Sequence, residues 1–234
     1  MFEIRMNHPG RNAIGGDLLA WLNEQLDLAG SQPILLTGTE DSFCSGLNLK
    51  EMLTYSDEDL PAFLLAIDDL AVRLFEHPGP TVACVNGHAI AGGCVLTLCC
   101  DYRIAKQQDD LRIGLPEIKL GACFPPRMMS ILRHRLNPQH LYEILIGGQL
   151  YDPPQALRLG LIDEIADDVE SASKAYLKQL ASYPQHSFQL SKTALQYGVT
   201  TVSLERRQAY LENEMQVWKS GEMKERVVQL FAKK

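Results

Sequence analysis

The chain has 234 residues, 46% hydrophobic and 22% charged, ordinary values for a soluble globular protein built as one large domain or a core with an appendage. A net charge of −7 argues against a nucleic-acid surface, because phosphate binding needs clustered Lys and Arg. The nearest basic cluster, Arg127, Arg133, His134 and Arg135, reads as a solvated helix face.

The N-terminal stretch MFEIRMNHPGRNAIG has no apolar signal core, and no run approaches transmembrane length, so no membrane association is expected. The six cysteines show no C-x-x-C pairing. They read as reduced, buried thiols of a cytoplasmic protein without a metal site.

In chain order, a helical pattern covers residues 17–28, and residues 33–37 form a buried strand closed by Gly38. A polar loop with a second glycine, Gly46, follows, and a helix begins shortly after it. Residues 60–75 are helical. A strand at 81–85 ends in Asn86-Gly87, and a short apolar link then leads through Gly92-Gly93 into a helix at 93–100. Strands are predicted at 102–105, 111–113 and 161–165, and helices at 128–136 and 139–146. Strands alternating with helices imply an α/β architecture. From Val169 onward the pattern is mostly helical, with breaks near Tyr183-Pro184, Tyr197-Gly198 and Ser220-Gly221. A compact α/β core to about residue 170 and a helical C-terminal part are therefore expected.

Three stretches are candidates for chemistry. The loop at 37–50 is either a plain strand-to-helix connection or a place of close approach. Gly92-Gly93 at a helix start is either a packing device or a site where a ligand nears the backbone. Unpaired N–H groups there, at the positive end of the macrodipole, suit a developing negative oxygen. A phosphate fits less well, since neither G-x-x-x-x-G-K-[ST] nor G-x-G-x-x-G is present. Glu117 follows a proline in an apolar stretch. It is either a surface partner of Lys119 or Arg112, or a carboxyl with a raised pKa suited to trading protons.

Several candidates fail. Ser42 and Ser45 lack a G-x-S-x-G elbow. His77 reads as part of a turn and His88 as a satisfied core or interface residue, neither with a metal-spaced partner. Asp101 reads as a cap that orients the following strand.

Taken together and in order, these stretches resemble the crotonase (enoyl-CoA hydratase/isomerase) superfamily. The matching residues are Asn12-Ala13 after Pro9, FCSGLNL at 43–49 and PTVACVNGHAIAGGC at 80–94. CDYRI at 100–104, PEIKLG at 116–121 and ALRLGLID at 156–163 continue the match. The resemblance implies a core of ββα spiral turns over residues 1–170 and a helical region over 171–234 that builds trimers, often paired into hexamers. It implies an acyl-CoA thioester as substrate, in lipid metabolism, with coenzyme A part of that substrate and no separate cofactor.

By motif position the resemblance makes the backbone N–H groups of Leu47 and Gly92 the oxyanion hole. Ser45, Gly46, Leu47, Asn48, Leu49, Lys50, Gly93 and Phe124 become substrate contacts. Lys50, Lys233 and Lys234 are candidate phosphate contacts, and Met52, Leu53, Tyr55, Phe124 and Met128 candidate pocket walls. Members of the family carry an extra strand before the Asn-Pro-Gly-like entry, here Asn7-His-Pro-Gly10. The resemblance therefore implies a trimmed first spiral turn.

The sequence departs from the hydratases where they carry a first glutamate in the helix after the glycines. That position is Val95, while the second, Glu117, is kept. The Pro-Gly-x-Gly-Gly run of hydratases is replaced by GACFPPRMM at 121–129. This pattern is similar to the Δ3,Δ2-enoyl-CoA isomerase branch, which implies Glu117 as a lone proton shuttle between C2 and C4, with Val95 keeping water away. The alternatives are a decarboxylase or other biosynthetic acyl-thioester enzyme of the family, or a non-catalytic CoA-thioester-binding paralogue.

Overall fold

Strands that are apolar on both faces belong in the middle of a covered parallel sheet, and ILLT and TVACV have that composition. The computed structural model describes residues 1–232 and places both strands in the interior of a five-stranded parallel sheet.

The chain opens with β1 (Phe2–Arg5), the single turn α1 (Pro9–Asn12), α2 (Gly16–Ala29), β2 (Ile34–Thr37), β3 (Ser42–Cys44), α3 (Leu49–Met52) and α4 (Asp59–Phe75). It continues through β4 (Thr81–Val85), β5 (His88–Ile90), α5 (Gly92–Cys99), β6 (Tyr102–Lys106), β7 (Ile113–Gly114), α6 (Glu117–Leu120) and α7 (Pro126–Arg135). A 3-10 turn at Pro138–His140 precedes α8 (Leu141–Leu145), β8 (Leu150–Tyr151), α9 (Pro153–Leu159), β9 (Glu164–Ala166) and α10 (Val169–Ala181). The last third is α11 (Gln185–Gln196), α12 (Leu204–Ala209), a π turn at Tyr210–Glu214, α13 (Met215–Lys219) and α14 (Gly221–Ala232). Among the described residues, no helix is long and apolar enough to cross a membrane.

From β2 to β7, strands are dealt alternately to two sheets. The first has the order β1-β2-β4-β6-β9 and the second β3-β5-β7-β8, parallel except for the β7–β8 pair. Each turn of the chain thus lays one strand in each sheet and then adds helix, which is the ββα spiral that the resemblance implies. Asn86 joins successive turns: its Oδ1 accepts from Gly38 N–H at 2.8 Å and from the Thr37 hydroxyl at 3.2 Å.

The predicted helices and the long apolar strands appear within a few residues of their expected bounds, while the short strands differ. β1 was not predicted, and it pairs with β2 at the edge of the first sheet. The first turn therefore has a strand ahead of Asn7. β3 lies in the stretch read as a polar loop, and β5 in the one read as a link. With three residues each, they are too short to show a period of two. The late strand lies at Glu164–Ala166, beyond residues 161–163, because Leu161 and Ile162 are buried in the core beside α9.

The basic cluster is a solvated face only in part: Arg133 and His134 are exposed, whereas Arg127 and Arg135 turn inward. α7 packs on α4 and α5, so the Arg127 Nε donates to the buried Asp68 at 2.7 Å. Arg135 bonds Cys100 O at 2.8 Å and lies 5.2 Å from the Phe75 ring centroid.

α10 covers the outer face of the first sheet, burying Val169 and Leu177 against Leu35, Val82, Cys84 and Ile104. α11 is pinned by a buried ion pair: Lys192 Nζ lies 2.8 Å from Asp101 Oδ2 and 3.2 Å from Gly79 O. The same Asp101 oxygen accepts from Thr81 N–H at 2.9 Å and from its hydroxyl at 3.1 Å. Asp101 therefore joins a helix and two strands rather than capping one. α13 and α14 fold back on their own core, burying Met215, Trp218, Met223 and Val227.

Removing one partner of a buried pair strands the other's charge, at a cost of about 3–5 kcal/mol. Asp101→Ala leaves the Lys192 ammonium with Gly79 O alone and is expected to destabilise by about that amount. Lys192→Met removes the cation itself and leaves Asp101 bonded to Thr81, so it is expected to cost much less. Urea unfolding of the two variants measures the asymmetry, and equal costs would contradict it.

Candidate active site

β3 runs out at Cys44, and the chain reaches Gly46 at φ +88°, a region that favours glycine. A side chain would also not fit there. A Cβ on Gly46 would stand 2.8 Å from both Ala91 Cβ and Ile90 O, and 3.3 Å from Gly92 N.

Leu47 is held from one side only. Ile14 donates to Gly46 O at 2.7 Å and accepts from Asn48 N–H at 2.9 Å, a one-residue parallel bridge centred on Leu47. In such a bridge the central residue's own N–H faces away from the partner strand. Among the described residues it has no acceptor.

Gly92 is the first residue of α5, so its N–H has no intrahelical partner and lies at the positive helix end. A Cβ on Gly92 would be 3.6 Å from Gly46 Cα and 3.8 Å from Leu47 N, so the two unpaired donors are neighbours. The residue before it, Ala91, has φ 54° and ψ −124°, a strained conformation for alanine that costs about 1–3 kcal/mol. It is pinned by its own N–H to Gly114 O at 2.8 Å and by Val95 N–H to its carbonyl at 3.0 Å.

Glu117 opens the single turn α6, which Gly121 ends in a left-handed conformation. Its side chain is buried, and its Oε2 has no hydrogen-bond partner. Burial pushes its pKa up to about 8, opposed only by its own backbone N–H. The alternative of a surface ion pair is ruled out by geometry: Lys119 bonds Gln149, and Arg112 bonds the carbonyls of Asp109 and Leu111.

Leu47, Gly92 and Glu117 line one cavity of about 330 Å³ together with Ser45, Leu49 and Phe124. Its remaining walls are mostly apolar, with Leu64 and Ile67 from α4, Met128 from α7, Trp218 from α13 and Leu230 from α14. Two backbone donors at a helix start can hold an oxygen that gains negative charge, and a carboxyl poised near neutral pH can move a proton beside it.

The other predicted site residues fall elsewhere. Gly93 packs directly on β3, where a Cβ would be 2.1 Å from Cys44 O, so the second glycine is a packing device. Asn48 caps α3, accepting from Glu51 N–H at 3.3 Å. Lys50 sits 5.2 Å over the Phe231 ring. Val95 is 1% exposed and belongs to the hydrophobic core rather than to the cavity wall. Met52 is core, and Tyr55 bonds Glu51 and stacks on Phe63, so of the suggested walls Phe124 and Met128 reach the cavity, whereas Met52, Leu53 and Tyr55 do not. Lys233 and Lys234 lie outside the described residues.

Sequence reasoning missed Leu64 and Ile67, whose signal was the apolar stripe of α4, and Trp218, whose signal was an aromatic residue inside a polar tail. Among the described residues, no cluster of three or more His, Cys, Asp or Glu could hold a metal.

Comparison with known proteins gives the family and the fold. The family model described as enoyl-CoA hydratase/isomerase matches residues 1–234. Mitochondrial enoyl-CoA delta isomerase 1 of Mus musculus is 29% identical over 182 residues, 77% of this chain and 63% of that protein. The chain thus spans under two thirds of the length of that relative. The crystal structure of human mitochondrial delta3-delta2-enoyl-CoA isomerase shares the fold, with a TM-score of 0.91 over 99% of this chain and 92% of that chain at 24% identity. An enoyl-CoA hydratase/isomerase family protein from Pseudomonas syringae superposes with a TM-score of 0.81 over 92% of each chain at 27% identity. The named isomerases are mitochondrial, which lends no support to the cytoplasmic expectation.

The raised Glu117 pKa has a thermodynamic consequence. Between the ordinary value of 4.5 and about 8, the folded chain keeps a proton that the unfolded chain has released. Native stability therefore falls through that window, by about 1.4 kcal/mol per pH unit, and Glu117→Gln escapes the loss. Unfolding free energies should diverge in favour of Glu117→Gln from pH 5 to 8 and run parallel above it. A constant difference across that range would contradict the burial of an unpaired carboxyl.

Proposed function

We propose that this chain, which belongs to the enoyl-CoA hydratase/isomerase family by a match over all of residues 1–234, moves a double bond within an acyl-CoA thioester. The reading is a Δ3,Δ2-enoyl-CoA isomerase. The observation that carries it is Glu117, a buried carboxyl with an unpartnered oxygen that shares one cavity with two unpaired backbone donors.

In a 3-enoyl thioester, the C2 proton is acidified by the carbonyl and by the double bond. The thioester oxygen sits on the Leu47 and Gly92 N–H groups. Glu117 takes the C2 proton, the electron pair moves into a dienolate, and its negative charge rests on that oxygen. Glu117 then returns the proton to C4, leaving the double bond between C2 and C3. Atoms balance without water, metal or cofactor, and coenzyme A enters and leaves as part of the substrate. Each donor aimed at the developing charge contributes on the order of 3–4 kcal/mol.

Val95 supports migration over hydration, because a buried valine at the position of the first hydratase glutamate offers water no partner. The apolar faces of Leu64, Ile67 and Met128 suit an unsubstituted acyl chain. Ser45 and Leu49 line the cavity on either side of the Gly46–Leu47 peptide, and the thioester's pantetheine end is assigned to that side. Assembly into a trimer, or a pair of trimers, belongs to the same proposal. Leu190 and Leu195 of α11, with Tyr197, stand exposed and apolar for a neighbouring subunit. The division into a spiral core at 1–170 and a helical region at 171–234 goes with it.

The test is conversion of 3-enoyl-CoA to 2-trans-enoyl-CoA. Wild type should turn over, with kcat/KM rising with pH and levelling off above about 8, since the carboxylate form is the base. Glu117→Gln should lose about 10³-fold in kcat. Robust turnover by the Gln variant would contradict the assignment, and decarboxylation of a malonyl-type thioester without double-bond migration would replace it.

A further inference from the structure

Glu51 lies outside the cavity, on the turn after the Leu47 loop, yet its carboxylate accepts three hydrogen bonds. It accepts from Gly16 N–H at 2.8 Å, from the Tyr55 hydroxyl at 2.7 Å and from Asn48 Nδ2 at 3.0 Å. Asn48 in turn donates its own N–H to Ile14 O at 2.9 Å, and Ile14 N–H donates to Gly46 O at 2.7 Å. These contacts close a ring that runs from Gly46 through Leu47 and Asn48 to Glu51, across to Gly16, and back through Gly15 and Ile14.

Two features show that this ring is built around the carboxylate. A Cβ on Gly15 would stand 1.9 Å from Glu51 Oε2 and 2.8 Å from its Cδ, so a side chain there would push the carboxylate out of this position. Gly16 also begins the fourteen-residue α2, whose positive end suits an anion. The ring encloses the Gly46–Leu47 peptide, one of the two whose N–H is left for the cavity. Leu47 is otherwise held only by its single bridge to Ile14, in a loop that leaves β3 at positive φ.

We propose that Glu51 is a positioning residue that fixes the Gly46–Leu47 peptide plane and so aims the Leu47 N–H at the thioester oxygen. This rests on the reading of Leu47 as an oxyanion donor. A donor or substrate displaced by about 1 Å can cost on the order of 100-fold in rate. Glu51 touches neither substrate nor reacting atoms, so its signature is a loss in kcat at nearly constant KM.

The test compares Glu51→Ala, Glu51→Gln and Tyr55→Phe. Glu51→Ala opens the ring and should lower kcat about 10- to 100-fold with KM for the CoA thioester nearly unchanged. Glu51→Gln keeps an acceptor for Gly16 and Tyr55 and should fall between Ala and wild type. Tyr55→Phe removes one contact without opening the ring and should keep wild-type kcat.

A readout independent of turnover is the thioester carbonyl stretch of a bound saturated acyl-CoA, followed by isotope-edited infrared difference spectroscopy. Wild type should move it to lower frequency than in solution, and Glu51→Ala should lose part of that shift. Wild-type kcat and carbonyl shift in Glu51→Ala, or equal losses in Glu51→Ala and Tyr55→Phe, would overturn the proposal. A carbonyl shift that Glu51→Ala diminishes, in a protein that does not isomerise 3-enoyl-CoA, would sink the isomerase reading and leave Glu51's role standing.

Discussion

The contact on which the site depends is one backbone against another at Gly46 and Gly92. A methyl group on Gly46 would strike Ala91 and the Ile90 carbonyl, and one on Gly92 would reach toward Leu47 N. That approach follows from register in the second sheet. β3 pairs in parallel with β5 through Cys44 and Ala89, and β5 pairs with β7 through Ile90 and Gly114. Parallel strands end on the same sheet edge, so the segments leaving all three emerge together. The first carries Leu47, the second Gly92 and the third Glu117. Three residues spread over about 70 positions of sequence become one site because three very short strands pair side by side.

The electrostatics follow from what surrounds that edge. Glu117 has mostly apolar neighbours and, among the described residues, no cation in contact, so burial raises its pKa into the range where a carboxyl can both give and take a proton. The donors that share its cavity are neutral N–H groups, which in the proposed reaction would stabilise a transient oxyanion without holding Glu117 permanently ionised. A nearby lysine or arginine would have lowered its pKa and weakened it as a base. The strain at Ala91 belongs to the same arrangement, since its conformation turns the start of α5 toward the cavity and is held by two backbone hydrogen bonds.

Much of this was legible before the structure. Long apolar runs such as those at 34–37 and 81–85, and the amphipathic pattern at 59–75, announce themselves through composition and period. Gly46, Gly92 and Glu117 stood out because each breaks a local rule, two glycines at helix-adjacent positions and a carboxylate in an apolar stretch. β3, β5 and β7 were illegible as strands of their true length, since two or three residues display no periodicity and their pairing is decided by tertiary register. Gly93 was misread as a binding residue because only coordinates separate a glycine that lets a ligand approach from one that lets a strand approach. The packing of α13 and α14 on their own cavity was also hidden, because an amphipathic helix shows that it needs a partner surface but not which one. Trp218, whose indole donates to Cys123 O at 2.9 Å, marks where that surface is.

The central claim is that Leu47 N–H, Gly92 N–H and Glu117 converge on a single thioester. The most direct measurement is a crystal structure of the protein with a bound acyl-CoA. The account predicts the thioester oxygen within hydrogen-bond distance, about 3 Å, of both Leu47 N and Gly92 N, with the Glu117 carboxylate beside C2 and C4. A thioester oxygen that meets neither amide, or an acyl chain whose C2 lies away from Glu117, would contradict it.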